Sequence, residues 1–367
     1  HFYPVESILR LLDLMAFLKL NRFHWHLIDD ESFRLELPSF PELAERTGLR
    51  GDGYLIPGVF GGGKGPEGGT YSAEDVKRIN EHAESLGISV MPEIEIPAHS
   101  KALVKVMPEL RDHQDESNEE SVQGYLENTI NPAKQETWNF LDKAIPEIKS
   151  MFPFGVMHLG CDEMPHKVWE KSPAINELKK QQGLETTEDV QEWTMKKAVR
   201  IVQKAGGRPA AWEVAGSGKN GGIGHDTVIF SWSVMEPGLK AVRDGYEVVM
   251  CPAQNVYFDM AHTNGHHEKG LNWAANISMM DALCWDPVSA LETLKPWVKH
   301  VHIKDARKSS VPDQWGEEVP WGEGDFINEE FLKTLNSIDY KGALAIEREA
   351  GTPVSYTHLT LPTNREV

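Results

Sequence analysis

The sequence predicts an α/β fold of the (β/α)8 TIM-barrel class, and three observations lead there. Short, almost wholly apolar runs recur along the chain: FGVMHLG at 154–160, RPAAWEV at 208–214, TVIFSWS at 227–233 and YEVVMCP at 246–252. Runs without polar alternation belong to strands covered on both faces, the condition of a parallel sheet. Helix-forming stretches alternate with these runs, the repeat that builds βαβ units. At 367 residues the chain is long enough for a large barrel, and the number of units favours a barrel over an open sheet.

The elements follow in order. Val5, Ile8, Leu11, Leu12, Met15 and Leu18 recur at three- and four-residue spacing and define a helix over 4–19, with Pro4 in its first turn. RFHWHLI at 22–28 is a β-rich run that stops at the acidic turn Asp29, Asp30, Glu31. Glycines crowd 51–69 and make a surface loop too long for a plain connection. A helix over 72–86 opens with an N-cap and an acidic first turn, and a strand over 88–96 runs into PEIEIPAHS. Helices at 134–150 and 189–205 precede the strands at 154–160 and 208–214.

Apolar residues make 40% of the chain and charged residues 25%, and 31 Gly with 22 Pro are too few for a low-complexity or collagen-like chain. The net charge of −19 repels phosphate backbones and anionic headgroups, which argues against nucleic acid as a partner. No apolar run reaches about 18 residues, so no membrane span is expected. The N-terminus lacks a basic-then-apolar leader pattern, but the chain begins at His1, so a leader could precede it and a periplasmic or extracellular setting stays open. Cys161, Cys251 and Cys284 form no CxxC pair for zinc or redox work. Eleven Trp, eight Tyr and fifteen His stand beside many carboxylates, the combination with which proteins grip sugar rings, although composition alone assigns the Trp residues to the core.

Position along the barrel sharpens that choice. Working residues of such barrels sit where strands end and βα loops begin. The strand ends here carry Asp29 and Asp30, then Glu93, Glu95 and His99, then Asp162 and Glu163, then Trp212 and Glu213, then Trp232, then Tyr257 and Asp259. Solvated loop charges account for one or two such ends, not for Trp residues at consecutive ones. Asp162 and Glu163 can both face the barrel mouth where the strand opens, and proximity then splits their proton affinities. One stays ionised while the other keeps a proton, the division of labour that acid-catalysed glycoside cleavage needs. His158, Asp29 and His99 are placed to orient or charge-tune the pair.

The stretches NRFHWHLIDDESFRLEL, MPEIEIPAHS, MHLGCDEMP, AAWEV, FSWS and VYFDMAH resemble successive active-site strands of family 20 glycoside hydrolases, the β-N-acetylhexosaminidases. The likeness runs in order from His1 to about Pro287, and its most specific element is the H-x-G-x-D-E form at His158, Gly160, Asp162 and Glu163. It implies a substrate-assisted retaining mechanism with neither cofactor nor metal, acting on glycans that end in N-acetylglucosamine or N-acetylgalactosamine. Under it Glu163 is the general acid and base, Asp162 holds the 2-acetamido group, and Asp29 and His99 form a relay behind Glu163. Trp212 and Trp232 wall the acetamido pocket, Tyr257 and Asp259 contact the acetamide oxygen and sugar hydroxyls, His158 supports the substrate site, and Trp273 stacks on sugar.

The departures point elsewhere. The family's Arg for the outer sugar hydroxyls would fall just before His1, so the first barrel strand is expected to be cut away, and no LWxE-like segment follows Pro287. Residues 286–351 resemble the C-terminal end of a xylose-isomerase-type sugar-phosphate isomerase/epimerase, with His302, Lys304, Asp305 and Glu347 at its metal-site or substrate positions. A full metal ligand set is not expected there. VSYTHLTLPTNREV at 354–367 has no core periodicity and resembles a translated sequencing-library adapter. The expected organisation is therefore chimeric: an incomplete hexosaminidase barrel at 1–287, a fragment at 288–351 whose strands complete or follow the barrel, and a tail at 352–367. A metal-dependent isomerase and a non-catalytic carbohydrate-binding barrel are the alternative functions.

Overall fold

The computed structural model describes residues 2–58, 65–112, 120–121, 124, 128–219, 221–268, 270–278, 298, 301–303, 305–310, 317–326, 328–342 and 344–346. The chain divides into two compact units, His1–Tyr257 and Phe258–Val367. The boundary expected near Pro287, the tail at 352–367, Lys304 and Glu347 lie outside the described residues. No described helix is long and apolar enough to cross a membrane.

The first unit is organised by one six-stranded sheet. Its strands are β1 (Arg22–His26), β2 (Ser89–Glu93), β3 (Val156–His158), β4 (Arg208–Trp212), β5 (Val228–Ser231) and β6 (Glu247–Met250). Neighbours in the sheet are neighbours in the chain, and every pairing is parallel. Helices α1 (Val5–Phe17), α2 (Ala73–Ser85), α3 (Gln135–Ser150) and α4 (Thr187–Lys204) precede β1, β2, β3 and β4 in turn, and α5 (Met235–Arg243) joins β5 to β6. Ser72 and Asp75 cap the start of α2 reciprocally, as Thr186 and Asp189 cap α4, which satisfies amides that the first helical turn leaves open.

Side-chain contacts show that this sheet is curled. In a flat sheet β1 and β5 would stand about 19 Å apart, four strand spacings. The rings of His24 on β1 and Phe230 on β5 nevertheless lie 5.2 Å apart, and those of His24 and Trp212 on β4 lie 5.7 Å apart. Only a sheet bent around a common interior brings them together, as in a TIM-type barrel. On the outer side Trp25, Val90, Met157, Ala211 and Ile229 pack in one core with the apolar faces of α1 to α4. On the inner side Met91, Ala210 and Val228 close the floor with Phe154, Val156 and Phe230.

Each strand is shorter than the apolar run that signalled it. β3 ends at His158 because Gly160 and Cys161 take positive φ, and β4 gives way to a 3-10 turn at Glu213–Gly216. In the second unit Val301–Ile303 and Leu344–Ile346, the strands expected to continue the barrel, pair with one another in a parallel ladder. Val301, Ile303, Phe331 and Leu335 form a small core there. Asp305 is occupied structurally: its carboxylate accepts from the amides of Ala306, Gly322, Gly324 and Phe326 and from Asn328 Nδ2.

Candidate active site

Alternation along β1 and β2 sends His24, His26, Glu93 and, just past the strand, Glu95 into the barrel interior. Register then groups them, for His26 sits opposite Glu93 and Glu93 opposite His158. Glu93 is 1% exposed and is met by three imidazoles. His26 Nδ1 donates to its Oε2 at 2.5 Å, His24 Nε2 lies 3.0 Å from the same oxygen, and His158 Nδ1 lies 2.9 Å from Oε1. Burial opposes ionisation of Glu93, yet His26, His158 and His24 together hold it well below the usual carboxylate range. Burial likewise resists protonation of His26, but Glu93 and Asp29 raise it well above its ordinary value. His158 has no exposed surface, and that burial lowers it to about 4, leaving a neutral ring that supports Glu93 and packs 4.6 Å from the Trp212 ring.

From this base a chain of alternating charges climbs to the mouth. His26 Nε2 donates to Asp29 Oδ2 at 3.0 Å, and the other Asp29 oxygen lies 3.3 Å from His99 Nδ1. His99 Nε2 lies 3.2 Å from Glu163 Oε2 and 3.8 Å from Asp162 Oδ2. Asp29, His99 and Glu163 are thus joined in one chain of contacts. Burial would raise Asp29, but its two imidazole partners depress it strongly, and Asp29, Asp30 and Glu163 raise His99 against the cost of burial. Asp30 fixes this corner by accepting from Lys101 N at 3.0 Å and from Ser121 Oγ at 2.5 Å.

Two carboxyls resist ionisation. Burial, together with Asp162 and Glu93, raises Glu95 well above its ordinary value. Burial pushes Asp162 up to about 6, with His99 opposing and Glu93 and Glu163 reinforcing. The backbone here is strained: His99, Cys161 and Glu163 have φ of 47°, 88° and 48°. Non-glycine residues in that region cost on the order of 1–3 kcal/mol each and persist where surroundings over-determine them. Gln191 of α4 supplies one such restraint by donating to the Cys161 carbonyl at 2.9 Å. Burial raises the Cys161 thiol to about 12, so it is inert packing, not a nucleophile.

The aromatic residues come from the next strand ends. Trp212 is half-buried, rests on His158 and His24, and has an indole Nε1 that is buried without a hydrogen-bond partner. Trp232 follows β5, and its backbone N–H donates to Glu213 Oε2 at 2.9 Å. Tyr257 ends the first unit, half-buried. Asp259 and Trp273 belong to the second unit, where Asp259 is exposed with its carbonyl accepting from Leu271 N, and Trp273 is 54% exposed.

Four groups among the described residues bring three donor atoms within 4.8 Å of one another: His24–Glu93–His158, His26–Glu93–Glu95, Asp29–Asp30–His99 and His99–Asp162–Glu163. Three of the four contain His26 or His99, whose raised affinity for protons opposes metal ligation. The arrangement suits holding and moving protons. Glu93 and Glu95 were expected at a strand end without an assigned role, whereas His24 and His26 were not singled out; the signal for all four was the paired H-x-H and E-x-E spacing, a period of two that places each pair on one strand face.

Comparison with known proteins agrees with this geometry. The model of the glycosyl hydrolase family 20 catalytic domain matches residues 1–323, a span reaching past Pro287. A β-hexosaminidase of Vibrio furnissii is 34% identical over 302 residues, 82% of this chain and 49% of that protein. One of Porphyromonas gingivalis is 30% identical over 71% of this chain and 32% of its own length. The solved structure of a family 20 exo-β-N-acetylglucosaminidase from Vibrio harveyi in complex with N-acetylglucosamine superposes with a TM-score of 0.75 at 37% identity, covering 79% of this chain and 45% of the other. The chain therefore spans no more than about half the length of these relatives.

Proposed function

The chain belongs to the family 20 glycosyl hydrolase catalytic domains, and from that membership we propose that it hydrolyses terminal non-reducing N-acetyl-β-D-hexosamine residues by a substrate-assisted, retaining mechanism. The observation that carries the reading is His99 wedged between Asp29 and the adjacent pair Asp162 and Glu163, which gives two neighbouring carboxyls different surroundings.

Glu163 donates its proton to the glycosidic oxygen as the bond to the anomeric carbon breaks, and the substrate's acetamido carbonyl oxygen bonds to that carbon from the opposite face. The Asp162 carboxylate accepts the acetamido N–H and offsets positive charge spreading onto the resulting five-membered ring. Water then attacks the anomeric carbon, Glu163 takes a proton from it, and the acetamido group is restored with the original configuration. His99, held by Asp29, keeps Glu163 oriented through both steps. Trp212, Trp232 and Tyr257 are assigned to the acetamido pocket on the family likeness.

Turnover of a chromogenic N-acetyl-β-glucosaminide, with and without a chelator, tests this reading. Release of the β-anomer of the free sugar, unchanged by chelation, is expected. Activity lost on chelation and restored by Mn²⁺ or Mg²⁺ would favour the isomerase alternative, and binding without turnover a carbohydrate-binding barrel.

A further inference from the structure

Glu213 directly follows Trp212, is 7% exposed, and forms no ion pair among the described residues. Its charge is met instead by the segment that carries Trp232. Oε2 accepts from Ser231 Oγ at 2.7 Å, from Trp232 N at 2.9 Å and from Ser233 N at 3.4 Å, and Oε1 accepts from Ser233 Oγ. The far side of the same segment is pinned as well. Ala253 N donates to the Trp232 carbonyl at 2.7 Å, and Gln254 Nε2 to the Ser233 carbonyl at 2.6 Å, from the short helix Ala253–Val256 that ends at Tyr257. The carboxylate thereby ties the Trp212 strand end to the Trp232 segment, which Ala253 and Gln254 tie in turn to the segment ending at Tyr257; each bears one aromatic residue of the assigned acetamido pocket.

We propose that Glu213 is a positioning and specificity-determining residue that sets the spacing of Trp212 and Trp232, and through it the size of 2-acylamino group the pocket accepts. The proposal rests on the assignment of these Trp residues to that pocket. The side-chain length is the critical variable. An Asp at 213 keeps the charge but is one methylene short of reaching Ser231, Trp232 and Ser233 together, so the Trp232 segment loses its tether and the pocket widens. A Gln keeps the length and one carbonyl acceptor for Ser231 Oγ and Trp232 N, while Ser233 Oγ can turn to accept from its amide.

The experiment compares wild type, Glu213→Asp and Glu213→Gln on 4-nitrophenyl 2-acylamino-2-deoxy-β-glucosides carrying acetyl, propionyl or butyryl groups. Glu213→Asp is expected to lower kcat/KM for the acetyl substrate by about tenfold, the scale of one methylene in a fitted pocket, while the propionyl substrate loses less, so the propionyl-to-acetyl ratio rises about fivefold. Glu213→Gln should hold the wild-type ratio. A uniform loss on all three substrates, or an unchanged Glu213→Asp, overturns the proposal. A ligand-free readout separates it from the functional reading: in protein labelled with ¹⁵N at Trp, the Trp232 indole N–H resonance, identified with Trp232→Phe, should move in Glu213→Asp. An unmoved resonance sinks the proposal whatever the activity, whereas a wild type without turnover but with the expected shift refutes only the hydrolase reading.

Discussion

Gly160 and Glu95 are packed so closely that the smallest side chain at 160 would displace the carboxylate: a Cβ there would lie 1.9 Å from Glu95 Oε2. Gly160 also has φ of 65°, a conformation costly for other residues. The glycine of the H-x-G-x-D-E motif is thus explained twice, by backbone and by space. Gly160→Ala should lower stability by about 1–3 kcal/mol and, by pushing Glu95 toward Asp162, reduce turnover by more than the unfolded fraction accounts for. Denaturant unfolding and kcat of the folded fraction, measured together, check both halves.

Asp162 is held in a place that penalises its working charge. Its carboxyl is raised from 3.8 to about 6, so the stability it contributes is full below pH 3.8 and lost as the pH rises through 6. At neutral pH the ionised group costs roughly 1–3 kcal/mol, allowing for its partial exposure. Asp162→Asn cannot ionise. It should therefore gain stability over the parent between pH 4.5 and 7.5, read by urea unfolding at both, while losing hydrolysis and binding a thiazoline analogue of the intermediate less tightly. A stability difference independent of pH would contradict the assigned surroundings.

Removal of His26 leaves the buried Glu93 and the partly exposed Asp29 with one imidazole fewer between them. His26→Ala should destabilise the protein by about 2 kcal/mol, below the 3–5 typical of fully buried pairs because this imidazole is half-exposed. Adding Glu93→Gln removes the charge that His26 served, so the double variant should lie closer to wild type than the two single effects summed. A double-mutant cycle with no coupling would show that the 2.5 Å contact carries no energy.

Glu163→Gln should abolish most hydrolysis of substrates with poor leaving groups, which need the proton, and spare the first step on a nitrophenyl glycoside, whose leaving group departs unaided. Comparing an alkyl and a nitrophenyl N-acetylglucosaminide decides it. Equal loss on both, with binding also lost, would assign Glu163 a structural role.

The strand runs, and the helix with its cap at Ser72, were legible because each depends on a few neighbours in the chain. Ser72 with Asp75 is one helical turn, and FGVMHLG is one strand. The meeting of His24 with Trp212 and Phe230 was not, because it depends on how far the sheet bends, a property of all its strands. Asp30 looks like a partner of Asp29 at the mouth, and besides lying 3.4 Å from His99 Nδ1 its side chain accepts from Lys101 N and Ser121 Oγ, an anchoring role that no spacing announces. Glu213 stood in the sequence at a strand end, but its target, the backbone of Trp232, lies on the next strand.

A sheet whose strand order repeats the chain order also fixes the schedule on which a growing chain can build it. Synthesis delivers β1 with His24 and His26 before β2 brings Glu93, so the imidazoles are waiting when the carboxylate docks. Asp29 emerges with β1 and His99 after β2, and the acid pair follows β3. Within the chain His26, Glu93, Asp29, His99 and Glu163, Glu93 and Glu163 each follow in sequence the imidazole they meet. A circular permutant beginning at β2 would reverse that order for Glu93, docking it before His24 and His26 exist, and should refold more slowly than the parent while reaching the same native contacts.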